Sequence, residues 1–195
     1  MDPTSPRTFT WVDMVDGAAD DYIESVATFT RHVHDPLTDH LFGLLRSMQG
    51  PRFGYQVDRY RHSIQSATRT LRNGEDTEMV VAALLHDVGD VVAPANHSAL
   101  AAAIIKPYVS DRTHWIIRHH GVFQGYYYFH HLGGDRNARE AFGDHEWFDD
   151  CVAFCHEYDQ NCFDPAYDDL PLEEFRPLVD EILRRPSRFE TAELA

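Results

Sequence analysis

Hydrophobic residues recur along this chain at the three- and four-residue spacing of amphipathic helices, and no two segments alternate in the manner of paired strands. Capping residues before these segments, and Gly or Pro after them, mark their ends. The pattern predicts helices over residues 18–31, 37–48, 56–71, 77–86, 97–106, 111–121, 144–160 and 171–185. We therefore expect an all-α protein. It would be a single helical bundle over 1–195, with N-terminal helices (18–48), a core of about 55–160 and a C-terminal helix.

The most unusual boundary follows the apolar run Met79–Leu85, which leads directly into His86 and Asp87. Because such a run is expected to enter the interior, the imidazole and carboxylate that follow it would be buried too. Their burial costs free energy unless they pair with each other or bind a metal. For an isolated His-Asp dipeptide, a paired core feature is the simpler interpretation. Further histidines and aspartates along the chain favour a metal.

The helix predicted over 56–71 carries a polar face as well as an apolar one. His62, Gln65, Ser66 and Arg69 follow one another at positions i, i+3, i+4 and i+7. Polar residues spaced in this way usually form a solvated face. The apolar stripe is thin, so the pattern leaves open whether the polar face points to water or into a site.

Three further positions offer ligands of the same kind. His97 falls in the first turn of its helix, and either His119 or His120 ends the next one. Asp159 continues the apolar stripe of its helix, and a carboxylate on that side needs a partner. Imidazole and carboxylate donors without thiolate suit iron, manganese or zinc, and these positions supply more ligands than one ion needs. The earlier histidines are interpreted as surface or capping residues: His32, His34 and His40.

Composition limits the partners. The chain has 32 acidic and 17 basic residues, a formal net charge of −15, and Lys106 is its only lysine. Such a charge repels nucleic acid and anionic membranes, so we expect neither as a partner. A small anionic substrate stays compatible, because metal ions set the local field. The three cysteines indicate reduced thiols, and neither a signal peptide nor an apolar run of roughly 18 residues is seen. We expect a cytoplasmic protein.

The order H…HD…H…H…D between Tyr55 and Asp159 resembles the HD-domain superfamily, a helical metal-dependent fold, over about half of the chain. Two details resemble its mixed-valence diiron oxygenase branch, which includes myo-inositol oxygenase and the phosphonate-cleaving HD oxygenases. His62 and Gln65 match an HxxQ element, and Tyr158–Asp159 matches the aromatic-Asp pair that carries the final ligand.

The resemblance implies two iron ions, in the mixed-valence Fe(II)/Fe(III) state, with O2 as co-substrate. The implied ligands form two sets that share Asp87 as a bridge. One iron would be held by His62, His86 and Asp159, and the other by His97 and His120, with His119 as the alternative to His120.

The match is weaker around the substrate. Asp90 and Gln124 stand where relatives carry histidine or lysine, and Tyr55 stands where they carry a gating glutamate. Asp90 and Gln65 are our candidates for catalysis, although Asp90 has the alternative of a structural helix-end carboxylate. The residues expected at the substrate are Tyr55, Arg69, Arg118, Gln124 and Tyr126. The two arginines are included because a guanidinium matches two phosphonate oxygens.

Tyr126 opens a run of four aromatic residues that ends at Phe129 and is predicted to form a wall or lid. Aromatic faces attract a desolvated quaternary ammonium by roughly 2 kcal/mol or more. Alternate side chains of an extended run point apart, so at most two of the four should line one pocket.

The resemblance implies O2-dependent cleavage of the C–P bond of a small 1-hydroxyphosphonate, an organophosphonate. The example we favour is (R)-1-hydroxy-2-(trimethylammonio)ethylphosphonate, which would give phosphate and glycine betaine. The alternative is a metal-dependent phosphohydrolase acting on a nucleotide or another small phosphate ester, because most HD-domain proteins resemble that class. A non-catalytic metal or ligand sensor is a third hypothesis. The oligomeric state is left open.

Overall fold

The computed structural model describes residues 7–188, and within that range it contains helices and no strand. The prediction of an all-α protein is confirmed. The α-helices are α1 (Ala19–Phe29), α2 (Leu37–Ser47), α3 (Arg59–Arg72), α4 (Thr77–Leu85), α5 (His97–Ile105), α6 (Asp111–Gln124), α7 (Phe148–Phe154) and α8 (Arg176–Leu183). No described helix has both the length and the apolarity that crossing a membrane requires.

Backbone contacts divide the chain into two compact units, one up to Leu41 and the other from Phe42 onward. In the first unit, α1 continues into a π-helical turn at Thr30–His34, and Trp11 Nε1 donates a hydrogen bond to Asp21 at 2.9 Å. The apolar face predicted for α1 is largely exposed, at Ile23 (68%), Val26 (65%) and Phe29 (61%). The early histidines His32, His34 and His40 are exposed too.

The second unit is built around α4. Every residue of Met79–Leu85 is buried, and α4 packs against α3, α6 and α8. A helix that is apolar on all sides belongs in a core. Asp76 fixes its start by accepting a hydrogen bond from Met79 N at 2.9 Å. His86 and Asp87 directly follow the last residue of this buried helix, Leu85, and they are therefore buried too.

Some predicted boundaries were wrong. α6 does not end at Gly121 but continues to Gln124. The segment predicted as one helix over 144–160 consists of α7 and a π-helical turn, Cys155–Asp159. The aromatic run is not extended. It lies in two 3₁₀ turns, Gly125–Tyr127 and Phe129–Leu132, where the Phe129 ring packs onto the open face of Gly125.

Candidate metal centre

The polar face of α3 is buried, which answers the question that its sequence left open. His62 and Gln65 have no exposed surface, because residues 162–170 cover this side of the helix. Gln65 Nε2 donates to Asp164 O at 2.6 Å, and Gln65 Oε1 accepts from Asp164 N at 3.3 Å. Both ends of the Gln65 amide therefore hold the covering segment. Gln65 does not line the cavity described below, and its catalytic role stays a prediction.

Three buried histidines each point Nδ1 at a backbone carbonyl. A carbonyl can only accept, so Nδ1 carries the hydrogen and Nε2 presents a lone pair. Such a backbone contact fixes the ring orientation that a metal ligand needs. The acceptors are Cys162 O for His62 (3.2 Å), Ala83 O for His86 (2.7 Å) and Ile117 O for His120 (2.7 Å).

The first set of predicted ligands converges on one point. The Nε2 atoms of His62 and His86 lie 3.2 Å apart. Asp159 Oδ1 lies 3.2 Å from His62 Nε2 and 3.9 Å from His86 Nε2, and Asp87 Oδ2 lies 3.4 Å from both nitrogens. Four electron-rich atoms this close repel one another unless a cation lies among them. We call His62, His86 and Asp159, with Oδ2 of Asp87, the closed half of the site.

Asp87 turns its other oxygen toward a second set. Oδ1 lies 3.3 Å from His120 Nε2 and 3.6 Å from His97 Nε2. We call His97 and His120, with Oδ1 of Asp87, the open half. His119 points elsewhere, since its Nδ1 bonds to Trp115 O at 2.8 Å and its ring packs on the indole. A carboxylate whose two oxygens face separate imidazole pairs has the arrangement that bridges two metal ions.

The electrostatics of the cluster require positive charge. Burial lowers the pKa of His86, but Asp87 and Asp159 outweigh burial and raise the pKa to about 9. Burial raises the pKa of Asp87, yet the histidines around it, His86 foremost, hold the pKa well below its usual range. Asp87 is therefore ionised, and the converging lone pairs need a proton or a metal between them. The donor set fits iron, manganese or zinc, and three overlapping groups of candidate ligands run through it.

His97 is positioned by a glycine and a carboxylate. A Cβ on Gly89 would lie 2.6 Å from His97 O and 2.7 Å from His97 Cα, so glycine lets α5 begin this close to Asp87. Asp90 Oδ1 lies 3.5 Å from His97 Nδ1, while Nε2 faces Asp87. These contacts favour the structural alternative for Asp90, which orients a candidate ligand.

The open half faces a cavity of about 430 Å³. Gln124 lines it, donating through Nε2 to Asp159 Oδ1 at 3.1 Å. Gln124 Oε1 is buried and has no hydrogen-bond partner within the described residues, so it offers an acceptor to a ligand. Tyr55 also lines the cavity, stacked on Phe163 at 4.6 Å. These two predicted substrate residues therefore do lie beside the candidate ligands.

Three other predicted substrate residues lie outside the cavity. Arg69 is two helical turns beyond His62, where its guanidinium stacks on a tyrosine ring at 4.0 Å. Arg118 is exposed on the outer side of α6. Tyr126 faces the guanidinium groups of Arg136 and Arg139 at 4.2 and 3.8 Å. The cavity is lined instead by Tyr127 and Tyr128, two consecutive residues of the run.

Sequence reasoning missed Arg59. Its Nη1 lies 3.4 Å from Asp87 Oδ2, its Nε lies 3.1 Å from Asp90 Oδ2, and it lines the cavity. The signal was its position three residues before His62, which places both side chains on one face of α3. Phe163 was missed as well, and no pattern in the sequence marks it. Its ring stacks on His62 at 4.5 Å.

Comparison with protein families agrees with this geometry. Residues 59–147 match the family model described as HD domain, a stretch that holds every candidate ligand except Asp159. The match supports the predicted resemblance to the HD-domain superfamily. Members of that superfamily are in general metal-dependent enzymes, and they include hydrolases and oxygenases. No curated protein matches the chain.

Proposed function

We propose that this protein is a non-haem diiron oxygenase that uses O2 to cleave the C–P bond of a small 1-hydroxyphosphonate. The observation that supports the proposal is Asp87, whose two oxygens face two separate imidazole pairs. The closed half alone brings together four candidate ligand atoms, enough for one ion. The two extra histidines, His97 and His120, favour a second ion, and a set of two histidines and one carboxylate with free positions is typical of non-haem iron oxygenases.

In this proposal the closed half holds one iron and the open half holds the other. The iron pair supplies O2 activation and the redox chemistry, while the protein supplies orientation and charge. Tyr127 and Tyr128 line the cavity that the open half faces. Gln124 Oε1 is an acceptor available to the substrate hydroxyl, and its Nε2 keeps Asp159 oriented.

The overall reaction balances without an external reductant. The substrate carbon loses its C–H and C–P bonds, and O2 accepts the four electrons. The products are a carboxylate, hydrogen phosphate and one proton. For the 2-trimethylammonio substrate the carboxylate is glycine betaine. This substrate is favoured because three tyrosine rings line the cavity, and aromatic faces attract quaternary ammonium groups.

O2 consumption tests the proposal most directly. The iron-loaded protein should consume O2 and release phosphate in equal amounts with the hydroxyphosphonate, and it should show a mixed-valence signal in electron paramagnetic resonance. Phosphate release that continues without O2 would contradict an oxygenase.

The alternative is a metal-dependent phosphohydrolase. It is favoured by the closed half, where His62, His86, Asp87 and Asp159 alone form a complete ligand set for one ion. In that case a colourless protein should hydrolyse a nucleotide or another small phosphate ester, and this activity should not require O2.

A further inference from the structure

The Arg59 side chain places a positive charge in the cavity that the open half faces. Of the lysines and arginines within residues 7–188, Arg59 is the one that lines the cavity. Its guanidinium lies over the Tyr55 ring, 5.5 Å from the ring centroid, and this contact orients the guanidinium plane. Nη1 and Nε face carboxylates, and no hydrogen bond from Nη2 occurs among the residues that the structure describes. A guanidinium has five N–H donors, so Arg59 has donors left for a ligand.

Arg59 and a metal in the closed half need the same oxygen. Asp87 Oδ2 lies 3.4 Å from Arg59 Nη1 and also 3.4 Å from the Nε2 atoms of His62 and His86. A metal bound by those nitrogens would draw on Oδ2 and weaken its attraction to the guanidinium. Asp90 holds the Nε side of Arg59 at 3.1 Å and does not compete in this way, because its other oxygen faces His97.

We propose that Arg59 is the residue that binds the anionic group of the substrate, and that metal binding makes it available by taking Asp87 Oδ2. This inference rests on the proposed function for the identity of the anion, a phosphonate. The positive charge that would bind the phosphonate is then Arg59 on α3, three residues before His62. Position 124 does not supply it, because Gln124 is neutral. A guanidinium fork pairs with two phosphonate oxygens through parallel hydrogen bonds, whereas an amide lacks the charge and an ammonium lacks the planar fork.

Binding of methylphosphonate to protein loaded with Zn²⁺ tests the inference. This probe carries the anionic group but no hydroxyl, and Zn²⁺ has no redox chemistry, so turnover plays no part. Titration calorimetry should be run on the wild type, Arg59→Gln, Arg59→Lys and Arg118→Gln. The last is the matched control, an exposed arginine outside the cavity. Zinc content and melting temperature should be recorded for each variant, so that a folding defect is recognised.

We expect Arg59→Gln to weaken methylphosphonate binding by at least about tenfold, since charge-assisted hydrogen bonds are lost. Arg59→Lys should be intermediate, because it keeps the charge and loses the fork, and Arg118→Gln should bind like the wild type. Arg59→Gln should also bind zinc at least as tightly as the wild type, because Asp87 no longer has a competing partner.

Two results would overturn the inference: equal methylphosphonate affinity in Arg59→Gln and the wild type, or equal affinity in metal-free and zinc-loaded wild type. Neither result bears on the proposed oxygenase activity, which O2 uptake reports separately. Conversely, an Arg59-dependent anion site in a protein that consumes no O2 would leave the inference standing and remove the proposed function.

Discussion

The two halves of the candidate metal centre share Asp87 but differ in their access to solvent. In the closed half, the His62 and His86 side chains are 0% exposed and Asp159 is 4% exposed. In the open half, His97 is 28% exposed and His120 is 2% exposed, and the cavity that reaches both histidines meets the closed half only at Asp159 and at the shared Asp87. The donor chemistry is nearly the same on the two sides. The difference therefore lies in which elements cover the ligands, and it indicates where a substrate can enter.

The two halves are also held differently. His62 and His86 bond to carbonyls of the buried backbone, and the π turn Cys155–Asp159 directs Asp159 into the same point. A π turn re-aims a side chain by one position, and such turns are frequent at functional sites. In the open half, His120 is held in the same way by Ile117 O, but His97 depends on a side chain, Asp90, and on the small size of Gly89. The closed half and His120 are thus set by the core, whereas His97 is set by its immediate neighbours.

The largest effect is expected from Asp87→Ala, because Asp87 is the one ligand that serves both halves. The variant should lose both metals, while Asp90→Ala, which removes a carboxylate beside His97 in the open half, should retain the metal of the closed half. Metal analysis after purification and reloading measures this. Full occupancy in the Asp87 variant would rule out a bridged pair.

A smaller effect should separate the halves. Asp159→Ala should lose mainly the metal of the closed half, and His97→Ala should lose mainly the metal of the open half. The Asp159 variant should also be less thermally stable when metal-free, since His62 loses its 3.2 Å carboxylate partner and Asp87 alone must serve both buried histidines, at a cost of about 1–3 kcal/mol. Metal stoichiometry and thermal melting measure the two consequences. Identical metal loss in both variants would show that the halves are not separate sites.

The closed half was more predictable from sequence than the open one. The run Met79–Leu85 predicts that His86 and Asp87 are buried. Seven consecutive apolar residues belong in a core, and the two residues that follow them directly are buried as well. The burial of His62 could not be read from α3, since its own apolar stripe is thin and its cover comes from residues 162–170, about a hundred positions later. Tertiary contacts of that kind leave no local pattern.

The cavity side was predicted least well. Arg69 was predicted from its place on the His62 face of α3, two turns on, and Arg118 from its place beside the histidine pair, but the direction of each side chain decides what it reaches. Arg118 is only two residues from His120, and yet the helical rotation turns it to the surface. Arg59 lies one turn from His62 on the same face and reaches Asp87. Chain topology likewise leaves the periodic face of α1 exposed at Ile23, although the helix itself was predicted correctly.

Gly89→Ala should damage the open half and spare the closed one. The added Cβ would meet the His97 backbone at 2.6 Å, and backbone cannot move aside as a flexible side chain can. We expect a loss of about 1–3 kcal/mol in the free energy of unfolding and a lower affinity for the second metal. Gly43→Ala is the matched control, because nothing lies within 4 Å of its Cβ position and the residue is inside α2. That control should be slightly stabilising, by about 0.5–1 kcal/mol. Equal second-metal affinity in the Gly89 variant and the wild type would show that His97 does not depend on this close approach.

The smallest effect concerns the tyrosines at the cavity of the open half. If Tyr128 presents its ring to a quaternary ammonium, Tyr128→Leu should lower kcat/KM for the 2-trimethylammonio-1-hydroxyethylphosphonate by a factor equivalent to about 0.5–2 kcal/mol. The 2-methyl compound, which lacks the charge, should be affected much less, because leucine replaces most of the apolar contact. Tyr126→Leu is the matched control, since Tyr126 faces Arg136 and Arg139 outside the cavity. Phosphate release under air should be measured for the wild type, Tyr128→Leu and Tyr126→Leu with both substrates. The 2-amino compound carries a smaller cation, and its kcat/KM should fall between those of the other two substrates. If the wild type shows the same kcat/KM for the charged and the uncharged substrate, the open half has no cation site. Tyr128 would then line the cavity without binding the ammonium group.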